Sequence, residues 1–207
     1  MGLAFHITGW AAWPAESTLP MSLRRRASAV GQRALKTALA LPQGEVPPRY
    51  VLSSRHGEYG RTKDLLTALA TEEEVSPADF SMAVHHGLAG LLSIHTGNKE
   101  GHTAIAAGTD SFAYGLIEAA ATVAETGKPA LHLHFDEPLP EIYRPTDDGP
   151  CSDTVLALLL HPGEGPCFAL ERKPGEQGTP DLAALFLEFL RSDAREGGAG
   201  QWRWTRQ

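Results

Sequence analysis

The chain reads as an α/β layered domain, and three observations predict it. Apolar runs of strand length alternate with segments of helical period from one end to the other. One run, Thr154–His161 (TVLALLLH), is almost continuously apolar, as in a sheet covered on both faces. The 207 residues, 42% of them hydrophobic, suffice for one core. The order strand, helix, strand, helix, helix, strand, helix, strand pair predicts a largely parallel centre. We read residues 1–207 as one domain, with 197–207 as a tail.

In Leu3–Trp10 the residues Leu3, Phe5 and Ile7 alternate with smaller or polar ones, which makes it the first strand. Ser22 is placed to cap a helix over Leu23–Leu41, where Leu23, Ala27, Val30, Ala34, Leu35 and Ala38 recur at helical spacing. Pro42–Pro48 breaks that helix and delivers the strand Tyr50–Ser53. A helix over Tyr59–Ala70 carries Leu65, Leu66 and Leu69 on its inner side, Glu72–Glu74 is a solvated turn, and Ser76–Pro77 opens a short helix. Ala83–Ile94 is helix-like, Gly97–Gly101 a turn and Thr103–Ala107 a short strand. Gly108–Asp110 then turns tightly into a small-residue helix, Ser111–Ala124, with Asp110 as its cap.

The strand Ala130–Phe135 (ALHLHF) sets Leu131, Leu133 and Phe135 on one face and His132 and His134 on the other. The Pro-rich loop Asp136–Asp153 has the length of a functional or partner-ordered segment. Cys167–Arg172 is a strand expected to pair with Thr154–His161 through the turn Pro162–Pro166. Pro180–Leu190 is the last helix, and Gly197–Gln207 frays unless Trp202 and Trp204 pack.

A net charge of -7 argues against nucleic acid or an anionic membrane as main partner. Arg24–Arg26 is the local exception, a solvated helix face or a docking point for an acidic partner. Cys151 and Cys167, without CxxC spacing, suit reduced, buried thiols. The opening MGLAFHITGWAAW has neither the charged region nor the apolar run of a signal peptide, and no apolar run reaches spanning length. A cytoplasmic protein is expected. With no Gly-x-Gly-x-x-Gly after a strand and no P-loop, no cofactor is expected either.

The strand, turn and helix over Thr103–Ala124 form the context of a nucleophile elbow, yet neither Ser nor Cys stands at the turn. Ser53, His56 and Glu58 lie on one loop, whereas triads assemble from separated segments, so capping explains them better. His132 and His134 share a strand face as metal ligands do, but no third ligand lies near in sequence, and we expect no metal site. His85 and His86 could be acid/base groups, but packing and interface hydrogen bonds account for them without chemistry.

Several segments together resemble the β-ketoacyl-synthase-like N-terminal domain proteins. These are Ser53–Glu58 (SSRHGE), Phe80–His86 (FSMAVHH), Ala89–Gly90, Ser93–Ile94, Gly97, Ala106–Asp110 (AAGTD) and Gly115–Ala119 (GLIEA). The likeness extends to FHITGWAAW, LRRRASAVGQRAL and GQWRW, nearly the whole chain, and within the group it is most similar to chain-length-factor-type subunits of aryl polyene and related type II fatty-acid-like pathways.

The resemblance implies a thiolase-like half-fold, α/β/α layers around a mixed sheet. It puts Thr109 where a ketosynthase carries its acyl-accepting cysteine, so the elbow at Thr109 and Asp110 is degenerate, because a hydroxyl is a far weaker nucleophile than a thiolate unless a base sits beside it. Neither Cys151 nor Cys167 sits at an elbow, and the second half-fold, with its two histidines, is expected to be missing. The resemblance further implies that Thr103, Ala104, Ile105, Ala106 and Ala107 pair antiparallel with the same strand of a full-length ketosynthase, and that Phe80, Met82, Ala83 and His86 wall the partner's acyl tunnel. The expected protein is a non-catalytic chain length factor in a heterodimer, with acyl carrier protein reached through the partner. Two alternatives stand beside it: an acyl-thioester hydrolase or acyltransferase using Thr109, Asp110 and His85 or His86, and a homodimeric acyl-binding protein.

Overall fold

A computed structural model describes residues 2–42, 44–146, 153–174 and 181–207, so Cys151 lies outside the described residues. Its centre is one eight-stranded mixed sheet in the order β3-β2-β4-β5-β1-β6-β8-β7. The strands are β1 (Leu3–Ala12), β2 (Arg49–Ser53), β3 (His102–Ile105), β4 (Ala130–His134), β5 (Leu156–Leu160), β6 (Cys167–Arg172), β7 (Glu196–Ala199) and β8 (Trp202–Arg206). The helices are α1 (Met21–Arg24), α2 (Ala29–Leu39), α3 (Tyr59–Ala70), α4 (Pro77–Met82), α5 (Gly87–Thr96), α6 (Ser111–Thr126) and α7 (Leu182–Arg191), with a 3-10 turn at Glu141–Thr146. No helix among the described residues is long and apolar enough to cross a membrane.

Strand periodicity explains the layering. Along β4, Leu131 and Leu133 meet Leu35, Leu88 and Leu92 of α2 and α5, while the opposite sheet face is covered by α6 and α7 through Leu116, Phe112 and Phe186. The result is the expected α/β/α arrangement. The parallel part is smaller than expected: only β3, β2 and β4 run parallel, and every pairing from β4 outward is antiparallel.

β6 does not pair with β5. The ten-residue β1 lies between them, pairing with β6 from Leu3 to His6 and with β5 from Ile7 to Ala12, across a register irregularity between Ile7 and Gly9. The turn after β5 crosses over β1 instead of closing a hairpin: a Cβ on Gly165, where φ is +81°, would lie 2.6 Å from the Ile7 carbonyl oxygen. Cys167 opens β6 as a half-buried free thiol, less enclosed than expected.

The helix expected over Leu23–Leu41 is two. Ser28, not Ser22, is the N-cap of α2, its Oγ accepting from Gly31 N at 3.1 Å, because a serine in extended conformation (ψ 178°) interrupts the period at that point. Likewise Ala83–His86 is a turn, and α5 starts only at Gly87. Residues 197–207 hold most of the β7–β8 hairpin in place of a tail, since Trp202 and Trp204 are fully packed. The helix α3 occupies the expected residues but buries none of them; Leu66 and Leu69 point to solvent.

Candidate functional site

The turn between β3 and α6 is tied by backbone and by Ser111. Gly108 has φ +57°, Asp110 N donates to Ala107 O at 3.1 Å, and Ser111 Oγ both donates to Gly108 O at 2.7 Å and accepts from Ala107 N at 2.9 Å. Thr109 sits half-buried on this turn. Beneath it is a cavity of about 20 Å³ lined by Arg55, Thr109, His134, Asp136 and Asp181 among others, room for about one water molecule. Asp110 stands at the N-cap of α6 but caps nothing with its side chain. It accepts from Gln201 Nε2 at 2.7 Å and Trp202 Nε1 at 2.8 Å, pinning the C-terminal hairpin to the elbow.

Below the elbow lies a buried polar chain that sequence spacing did not reveal. Ser53 Oγ, at the end of β2, is 2.8 Å from His132 Nε2 and 2.9 Å from His134 Nδ1, both on β4. Parallel pairing sets Ser53 opposite His134, and the strand period turns His132 to the same face. His132 Nδ1 is buried without a partner. Its single ring proton is therefore assigned to Nε2, donating to Ser53, which in turn donates to His134 Nδ1. Burial, and secondarily His134, holds the His132 pKa well below 6.5. His134 is also lowered by burial, opposed by Asp136, Asp181 and the Ser53 backbone. Among the described residues no group of three or more His, Cys, Asp or Glu side chains is arranged to hold a metal ion.

The loop after β2 is built around Asp136, which accepts from Ser54 Oγ at 3.0 Å and from Arg55 N at 3.1 Å. His56 N approaches the same carboxylate at 3.4 Å, and the ring of His56 meets Tyr59 edge-on. Glu58 does not cap its own helix with its side chain; it accepts from Ser28 N at 3.1 Å, at the start of α2. Ser53, His56 and Glu58 thus face three different partners. The hydrolase set is also scattered: His85 Nε2 bonds the Ser54 carbonyl oxygen at 3.2 Å, His86 stacks on His102, and Asp110 is taken by the hairpin.

The interface candidates lie along one edge of the sheet and the segment before it. β3 pairs with β2 on one side, and no described strand pairs with the other. Tyr50 N bonds Gly101 O and Ser54 N bonds Ile105 O, so by strand alternation the backbone groups of His102, Ala104 and Ala106 face outward. The strand itself ends at Ile105; Ala106 is exposed, and Ala107 makes only an isolated bridge to Thr109. Side chains of Thr103 and Ile105 share the α6 face, that of Ala104 the α5 face. Of the tunnel candidates, Phe80 is 65% exposed and His86 is exposed, Ala83 is half-buried, and Met82 is buried in the core with α2 and α5. Val84 and Ile94 (77% exposed), in the same segment, were not among the tunnel candidates singled out from sequence; their exposure shows only once the run Ala83–Ile94 is seen to begin as a turn.

The family model for "Beta-ketoacyl synthase, N-terminal domain" matches residues 7–205. Among solved structures the chain is similar to one from the complex of the ketosynthase ApeO with its chain length factor ApeC from Xenorhabdus doucetiae. The identity is 28% and the TM-score 0.82, covering 99% of this chain and 100% of that one. It shares its fold with the ishigamide ketosynthase/chain length factor (16% identity, TM-score 0.64, 92% and 73% coverage). The same holds for a beta-ketoacyl synthase from Burkholderia phymatum STM815 (12%, 0.58, 92% and 69%). No curated protein matches the chain.

Proposed function

Because the chain belongs to the beta-ketoacyl synthase N-terminal domain family, over residues 7–205, we propose that it is a non-catalytic, chain-length-factor-type subunit. It pairs with a full-length ketosynthase in the cytoplasm and helps shape the tunnel in which a polyene or fatty-acyl chain grows, the carrier protein being reached through that partner. The observation that carries this reading is an unspent strand edge next to a degenerate elbow. No described strand pairs with the outer β3 edge, whose outward backbone groups suit another strand, while Thr109 overlooks space for about one water, and the imidazole lining that space, His134, is engaged by Ser53. The exposed Phe80, Val84 and Ile94, on the segment leading into β3, supply apolar surface that such a partner would cover.

The test is co-expression with a full-length ketosynthase, with mass determination of the purified species and an elongation assay. A one-to-one complex is expected. Ala104→Pro removes an outward N–H that the chain's own sheet does not use, and is expected to weaken that complex by about a hundredfold or more while the chain still folds. A complex that tolerates this variant would sink the edge-pairing reading. Phe80→Ala, checked by chromatography of the released products, is expected to shift them towards longer chains. If the chain ran alone and released acyl groups from thioesters, with activity lost in Thr109→Ala, the elbow would be an active site and the proposal wrong.

A further inference from the structure

We infer that association through the β3 edge is linked to a proton at His102, where it stacks on His86, and weakens as the pH falls. The inference rests on the pairing proposed above and adds its regulation.

His102 is the first residue of β3, and its backbone groups face the free edge. His86, the N-cap residue of α5, is exposed and stacks on it, with ring centroids 5.4 Å apart and planes 22° from parallel. The two imidazoles come from different elements and meet where a partner strand would begin to pair. From β2, Arg49 adds a fixed positive charge; its Nη1 donates to the Glu100 carbonyl oxygen at 3.1 Å. The Glu100 carboxylate, on the turn before β3, is held by Lys128 at 2.8 Å. α6 packs on the other face of β3, that of Thr103 and Ile105. A proton on His102 thus meets His86 and Arg49, with the nearby carboxylate already committed.

Partial burial, then His86, then Arg49, lowers the His102 pKa in the free chain. Covering the edge removes more water and disfavours the charged form further, so the complex holds fewer protons than its separated parts. Affinity is then full when His102 is neutral and is lost as the pH falls through its titration.

The experiment measures the dissociation constant of the full chain with its co-expressed ketosynthase at about pH 7.5 and about pH 5.5, with circular dichroism at both. The expected loss of affinity is about threefold for the natural chain, as one proton at a site lowered below 6.5 allows, and less than about 1.5-fold for the double variant His86→Gln, His102→Gln. A flat profile, or an equal loss in the double variant, overturns the inference and leaves the pairing intact. Failure to form any complex at the higher pH overturns the pairing, and the inference with it. In the free chain, His86→Gln is expected to raise the titration midpoint of His102 seen by NMR; an unmoved midpoint overturns the inference whether or not a partner binds.

Discussion

Gly115→Ala is expected to cost about 3 kcal/mol or more and to leave little folded protein at physiological temperature. An added Cβ would lie 2.5 Å from His132 Nε2, 2.6 Å from Ser53 Cβ and 2.8 Å from Ser53 Oγ. None of these atoms can move away cheaply, because Ser53 and His132 belong to central strands and to one hydrogen-bonded chain under α6. The helix must therefore rise from the sheet, and Phe112, whose ring meets His132 at a tilt and His134 edge-on, rises with it. Intrinsic propensity predicts the opposite sign, since alanine in a helix is favoured over glycine by about 1 kcal/mol. Gly90 in α5 supplies the control: nothing lies within 4 Å of a Cβ built there, and Gly90→Ala is expected to be neutral or stabilising. Urea denaturation of both variants checks the pair, and equal effects would refute the close approach.

The second large effect is acid lability. His132 is neutral in the folded chain because its pKa lies well below the ordinary 6.5 that it regains on unfolding. The unfolded chain thus takes up a proton that the folded one refuses, so stability is full above 6.5 and is lost as the pH falls below it. The limiting slope is about 1.4 kcal/mol per pH unit for each such histidine, and His134 adds in the same direction. Glu137 works the other way, since burial raises its carboxyl above 4.5, but it is only half-buried. Thermal melts from about pH 8 to about pH 5 should fall steeply on the acid side, whereas His132→Phe, which cannot take the proton, should flatten that limb. A wild-type melt independent of pH in this range would contradict the buried neutral chain.

Most elements were legible because their period is written locally: α3 spans the expected residues, and β6 does too. Faces and neighbours were less so. Leu66 and Leu69 have helical spacing, yet α3 packs against α4 and presents them outward, which no single-helix pattern can tell. The order of β5, β1 and β6 depends on a register irregularity in β1 and a glycine in the Pro162–Pro166 turn. At the site, the elbow was readable as strand, turn and helix, but Asp110 looked like a cap and is an anchor for Gln201 and Trp202, more than ninety residues away in the chain. Ser53 was noticed on its loop, and His132 and His134 as a pair on their strand. Only the β2–β4 register unites them, and register between distant strands is not a property of either segment.

The place of β1 has a kinetic consequence. It precedes the other described strands in the chain, yet its partners are Leu156–Leu160 and Cys167–Arg172, so its pairs join residues about 150 positions apart. Loop closure of that span is slow, and contacts of high sequence separation delay folding. β2, β3 and β4, all within residues 49–134, can assemble before β1 has anything to join. A nascent chain therefore carries the apolar β1 without strand neighbours, next to a sheet with two open edges, until residues 156–172 have been made. Such a species is prone to aggregate, and the yield of folded chain should depend on how quickly the C-terminal strands follow.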